Sequence, residues 1–175
     1  KDEVYHCYKE KEGVKVFVDD YAYLIQLMIN FYELTGEITY LNNAKDMSQK
    51  TWDLFYDNNN KILQKNLIDK NDLFVPPTDV NDSNIPNGNS IFLLNCKKLE
   101  VITGEKKWQN VTKELTQSFH SFLNLQSTQM VSYIKNLDIC DEIQTFSFFG
   151  NINKNKDIHN YVKKNYLKSS TLIYK

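Results

Sequence analysis

The chain contains no arginine: all 21 of its basic residues are lysine. It therefore lacks the planar guanidinium fork best suited to bidentate recognition of phosphate, carboxylate and guanine. Its net charge is −1, so no strong field draws it to nucleic acid or to an anionic membrane. Neither is an expected partner. Cysteine is sparse and odd in number: Cys7, Cys96 and Cys140, widely spaced and without a CxxC. That excludes a disulfide framework and reads as the reduced thiols of a cytoplasmic protein. No apolar run approaches the length of a membrane span, and no signal-peptide pattern is read. His6, His120 and His159 have no partner at ligand spacing, so no metal or other cofactor is expected. Glycine and proline number five and three, so each marks a break worth explaining.

What is present is an ordinary globular composition, 41% hydrophobic and 25% charged over 175 residues, long enough for a real core. A block also occurs twice. Leu34-Thr35-Gly36-Glu37-Ile38-Thr39-Tyr40 returns as Ile102-Thr103-Gly104-Glu105-Lys106-Lys107-Trp108, at an offset of 68 residues. The same offset lays Asp20-Tyr21-Ala22 over Gly88-Asn89-Ser90. A repeat of this kind decides the architecture.

Residues 19–34 read as a helix capped by Asp19 or Asp20. Only Gln26, Asn30 and Glu33 interrupt its apolar run from Tyr21 to Leu34, so it is expected to be buried nearly all round. Gly36 supplies a left-handed stop. An outer helix follows over about 39–55, with Asn43, Lys45, Asp46, Gln49 and Lys50 left for solvent. Residues 57–86 read as irregular, with a short hairpin strand within 62–68 and an extended loop marked by Pro76-Pro77 and by Asp79 to Asn87. The pattern then restarts. An inner helix, 91–101, is capped by Asn89 or Ser90 and broken by Gly104. An outer helix covers about 106–123, and half of a third hairpin covers 129–137. Strand 142–149, helix 157–166 and strand 170–174 read as a small β-α-β tail.

Repeated hairpins pack with inner helices parallel, so their N-termini open on one rim. Asp19, Asp20 and Tyr21 lie there in the first copy. Asn87, Gly88, Asn89 and Ser90 lie there in the second, Ser127 and Gln129 in the half copy. The loop ending at Pro86 brings Asp79 and Asp82. Carboxylates, amides, hydroxyls and a phenol suit a polyhydroxylated, sugar-like ligand. Asp19, Asp20 and Asp82 are the candidate acid–base groups. Tyr21, Asp79, Asn87, Gly88, Asn89 and Ser90 are the candidate ligand-binding residues. Plainer readings stand beside these: Asp19 and Asp20 as helix caps, and Pro86-Asn87-Gly88-Asn89 as a turn feeding a helix. Cys140, between Asp138 and Asp141, reads as a poor nucleophile. Cys96 reads as core. No histidine is expected on the rim.

Phe17-Val18-Asp19-Asp20-Tyr21-Ala22-Tyr23-Leu24-Ile25, the Leu-Thr-Gly-Glu hinge and Pro86-Asn87-Gly88-Asn89-Ser90 resemble the C-terminal half of the YyaL-like, or spermatogenesis-associated, thioredoxin-domain proteins. The family pattern is approximately FLDDYAFLI, a TGD or TGE hinge, then a run like RPKDxxDGAxPSGNS. Asp79, Asp82, Pro86, Gly88, Asn89 and Ser90 match it. Pro76 and Thr78 replace its basic residues, Ser83-Asn84 its Gly-Ala, and Asn87 its usual Ser. The resemblance implies a six-hairpin α/α toroid, similar to those of sugar 2-epimerases, preceded by a thioredoxin-like domain.

The expected fold is therefore mainly α. Residues 1–137 form about two and a half hairpins of a partial α/α toroid, and residues 138–175 a small α/β tail. The chain opens on Lys1 without a start signal, and is expected to be a fragment, inactive alone. Its expected partners are the N-terminal half of the same protein, with its thioredoxin-like domain and remaining hairpins, a sugar-like ligand, and further copies through exposed apolar inner helices. The alternative to ligand binding is a non-catalytic helical scaffold.

Overall fold

A computed structural model describes residues 4–6, 8–9, 12–13, 16–67, 79–150, 156–165 and 169–175. Cys7, Pro76-Pro77 and the end of the 62–68 strand expectation lie outside them. Among the described residues there are six α-helices and three two-stranded sheets.

β1 (Tyr8–Lys9) pairs antiparallel with β2 (Glu12–Gly13). Helix α1, Val18–Thr35, begins where Asp20 Oδ2 accepts the Phe17 amide at 2.9 Å, filling one donor that the helix cannot satisfy itself. It ends at Gly36, whose φ of +76° is the left-handed stop glycine adopts without penalty. Helix α2, Ile38–Phe55, returns along it, burying Leu41, Ala44, Ser48, Thr51 and Phe55. Ser48 and Thr51 keep their hydroxyls satisfied on the carbonyls of Ala44 and Met47. A tight hairpin follows, β3 (Tyr56–Asp57) with β4 (Ile62–Leu63). Asp57 closes its turn on the Asn59 amide and the Asn60 side chain. The strand leaving it lies against the start of α1, where the Val18 amide reaches the Lys65 carbonyl at 3.0 Å.

Helix α3 spans Gly88–Thr103, and every residue from Gly88 to Cys96 is buried. Helix α4, Lys106–Gln126, packs outside it. A 3₁₀ turn, Ser127–Gln129, leads to α5, Val131–Asp141. The inner row is therefore α1, α3, α5, with α3 touching both neighbours, and α2 and α4 form the outer layer.

The repeated block folds identically in both copies. The Thr35 hydroxyl donates to the Phe31 carbonyl and accepts from the Glu37 amide. Thr103 does the same between Leu99 and Glu105, and Gly104 repeats the left-handed stop at φ +70°. The outer helices start 68 residues apart, but the inner helices start 70 apart, because α3 is shorter by two residues at its N-terminus.

One expectation is corrected. It is α3, not α1, that is buried nearly all round. Leu27, Phe31 and Leu34 of α1 are 45%, 37% and 52% exposed. Helices α2 and α3 and the strand Ser170–Tyr174 pack against α1, and Phe31 stacks on Tyr40 of α2 at 5.2 Å between ring centroids.

The tail is parallel, as expected: β5 (Gln144–Phe148) beside β6 (Ser170–Tyr174), with α6 (Lys156–Lys164) between them in sequence. Strand β6 is buried against α1 and α3. Glu33 of α1, almost fully buried, meets Lys98 of α3 at 3.0 Å and the Thr171 hydroxyl of β6 at 2.5 Å. The Tyr174 hydroxyl donates to the Glu33 carbonyl at 2.6 Å, and its amide donates to the Tyr32 hydroxyl. Helix α5 runs to Asp141, past the boundary expected at 137. The protein is mainly helical with a small sheet tail. No helix among the described residues is long and apolar enough to cross a membrane.

Candidate functional site: a rim of helix N-termini

The inner helices do begin on one rim, and two aspartates join them. Asp19, in the first turn of α1, accepts the Gly88 amide at the start of α3, at 2.7 Å. Asp82 lies in the loop before α3. Its Oδ1 accepts the Asn87 amide at 2.9 Å, and its Oδ2 accepts the Ser132 amide of α5 at 2.7 Å. The Ser132 hydroxyl adds a bond to Asp82 Oδ1 at 2.5 Å. Three parallel N-termini would repel through their partial positive charges. A carboxyl group at each junction sets acceptor oxygens among these N-termini and fills donors the helices leave open.

Amides repeat the stitching one turn deeper. Asn95 of α3 donates to the Ala22 carbonyl of α1 at 2.8 Å. Asn136 of α5 donates to the Ser90 carbonyl of α3 at 3.0 Å. Ala22 and Ser90 are equivalent under the 68-residue repeat, so α5 sits on α3 as α3 sits on α1.

The remaining rim residues are placed as follows. The Asn87 side chain accepts the Asn89 amide and donates to the carbonyls of Asp79 and Asn81. The Asn89 side chain bonds both the amide and the carbonyl of Leu63, at 2.9 and 2.8 Å, as a strand neighbour would. Ser90 is buried under Asn136. Asp79 pairs with Lys65 at 3.0 Å. Gly88 approaches Asp19 so closely that a Cβ would lie 2.4 Å from Asp19 Oδ1 and 2.9 Å from its Cα. Tyr21 does not join this group. It is buried edge-on to Phe55 and borders a cavity between α1 and α2 of about 550 Å³. Tyr23, two residues on, reaches the rim instead, donating to the Pro86 carbonyl at 3.0 Å.

Asp19 is the electrostatically distinctive group. Burial raises its pKa above the ordinary value, and Asp79 and Asp20 add to this. The Gly88 amide and Lys65 pull the other way without cancelling it. Only its Oδ1 is engaged by the Gly88 amide.

A histidine, contrary to expectation, stands on the rim. His6 Nδ1 lies 3.0 Å from Asp20 Oδ1 and is half exposed, its ring edge-on to Phe17. Sequence reasoning missed it because 14 residues separate the pair and no local spacing encodes the approach. Lys65, Ser132, Asn95 and Asn136 were missed for the same reason. Buried asparagines in otherwise apolar inner helices were the available signal.

The two described thiols are held toward their protonated form. Cys96 is fully buried, which pushes its pKa well up. Burial pushes Cys140 up to about 12; Lys97 pulls it down, and Asp141 and Glu100 add smaller upward pushes. Asp141 thus contributes less than burial does. Among the described residues no group of three His, Cys, Asp or Glu gathers as a metal site would require. No protein-family model and no curated protein matches this chain.

Proposed function

We propose that the chain is a non-catalytic scaffold: a run of helical hairpins from a larger α/α array of the YyaL-like kind, whose open inner-helix side receives further helices of the same polypeptide. The observation that carries this is the use made of Asp82. A carboxylate that accepts two backbone amides and a hydroxyl from two helix starts is a joint, and its oxygens are occupied. Asn87 and Asn89 are equally committed to neighbouring backbone. Support comes also from the apolar stripe Leu27, Phe31 and Leu34, which is exposed on the outer member of the inner row.

A second reading, a carbohydrate-processing rim, is favoured by one observation. His6 is oriented by Asp20 as a histidine base is oriented by a carboxylate, beside Asp19 with its raised pKa.

Amide and imidazole NMR shifts followed during titration with a panel of mono- and disaccharides separate the two. The scaffold predicts no saturable shift at Gly88 or His6. Saturable shifts there, abolished by Asp20→Asn, overturn it in favour of the second reading. A photo-reactive residue at Phe31 in the parent polypeptide is expected to capture its own neighbouring helices, and the same residue at exposed Asn59 to capture none.

A further inference from the structure

The tail holds an edge that the scaffold reading leaves unused. Strand β5 pairs with β6 on one side only, and among the described residues no strand pairs with the other side. The Gln144 amide donates to the Ser169 carbonyl at 2.8 Å, the Lys175 amide to Phe148 at 2.9 Å, and the Gly150 amide to Lys175 at 3.0 Å. Residues alternate in the side to which they turn their backbone groups. Gln144, Phe146 and Phe148 therefore face β6. Thr145, Ser147 and Phe149 turn their N–H and C=O groups outward.

Protected edges carry lysine, proline or a bulge. This one has neither charge nor proline in its own sequence from Ile143 to Gly150; only at its end does the Lys175 ammonium lie over the Phe149 ring, at 5.5 Å. Phe146 and Phe149 are 36% and 68% exposed. A two-stranded parallel sheet is also an incomplete unit, since parallel strands are normally flanked and covered.

We propose that the β5 edge is a self-association surface, and that its occupant is the β5 edge of a second copy, paired antiparallel about a two-fold axis through Phe146. The sequence is complementary to itself in that register. Thr145 meets Ser147 of the second copy in a doubly hydrogen-bonded pair, hydroxyl beside hydroxyl. Ile143 meets Phe149, apolar against apolar. Phe146 meets its own equivalent in the close, non-hydrogen-bonded position. No like charges are opposed, and the net charge of −1 sets up little repulsion between copies. The product is a continuous four-stranded sheet, β6-β5-β5-β6. A two-fold interface of this kind is closed, so association stops at the dimer.

The test is residue-resolved hydrogen exchange of the intact chain across a concentration series, with sedimentation equilibrium alongside. The proposal expects a monomer–dimer equilibrium, with exchange at Thr145 and Ser147 slowing by about tenfold or more as dimer forms. Exchange at Phe146 and Phe148, already bonded to β6, changes little. Thr145→Pro removes an outward N–H, a substitution an edge strand tolerates, and is expected to be monomeric. Phe146→Lys places two ammonium groups face to face and is expected to be monomeric and folded, so the outcome does not hang on the proline variant. Leu27→Glu with Phe31→Glu alters the helical stripe alone and is expected to leave the dimer intact. A chain monomeric at every concentration, or a dimer that survives Phe146→Lys with Thr145 and Ser147 exchanging freely, overturns the proposal.

Discussion

Gly88 shows how tightly the rim is built. A methyl group there overlaps Asp19, and the atoms it meets include the Asp19 backbone, Cα at 2.9 Å and N at 3.0 Å. A flexible side chain could swing aside, but backbone at the first turn of a helix cannot. Gly88→Ala is therefore expected to cost about 1–3 kcal/mol, typical of overpacking, read by urea denaturation. Ala at Gly104, which meets no atom within 4 Å, carries only the left-handed backbone penalty. Asp19 makes a second residue-scale prediction. Its folded pKa lies above the usual value of 3.8, so between the two the native state binds more protons than the unfolded chain. Stability from this group then falls as pH rises through that window. Asp19→Asn keeps an oxygen for the Gly88 amide and removes the buried charge. The variant is expected to equal or exceed the parent in stability at neutral pH and to lose that advantage on acidification. A loss of stability confined to neutral pH contradicts the assignment. Asp57 acts in the opposite sense. Burial alone raises its pKa, but the bonds from Asn59, Asn60 and Gln64 outweigh it and leave the pKa lowered. Its contribution is present above the usual value and lost as pH falls.

The elements were legible where the cause was local. The Thr-Gly-Glu hinges appear as two breaks in sequence, and each fold uses the hydroxyl and the glycine in the same way. Periodicity placed α1 and α2 within a residue of their true ends. The start of α3 was set three residues late because Gly88 looks like a breaker. Here it is the first helical residue, chosen for its close approach to Asp19. Tertiary contacts were not legible. Nothing in the local pattern of α1 says that Leu27 and Phe31 stay partly exposed, and nothing near His6 points to Asp20. The docking of the tail is of the same type, since Glu33 and Thr171 are 138 residues apart. The ion pair between Glu33 and Lys98 makes the element-scale prediction. Lys98→Met removes the Lys98 countercharge from the buried Glu33 carboxylate. Breaking a buried pair from one side costs about 3–5 kcal/mol. The expected result is a lower unfolding midpoint together with freer exchange in β6, measured by denaturation and hydrogen exchange.

Across the whole molecule, two aspartates and two asparagines do the same work at successive junctions of one row. Asp19 and Asn95 join α1 to α3. Asp82 and Asn136 join α3 to α5. In the proposed scaffold, polar residues that read in the sequence as a ligand-binding rim serve as connections between inner helices, and further helices dock along the exposed Leu27 and Phe31. The most direct measurement is residue-resolved hydrogen exchange on Asp82→Ala. Losing charge-assisted bonds to two helix starts is expected to cost about 1.5–3 kcal/mol. Protection should fall together at Asn87 and Ser132, on separate helices, while Gly88, held by Asp19, changes less. If Asp82→Ala leaves both amides and the stability as they were, Asp82 is not a joint, and the scaffold account fails.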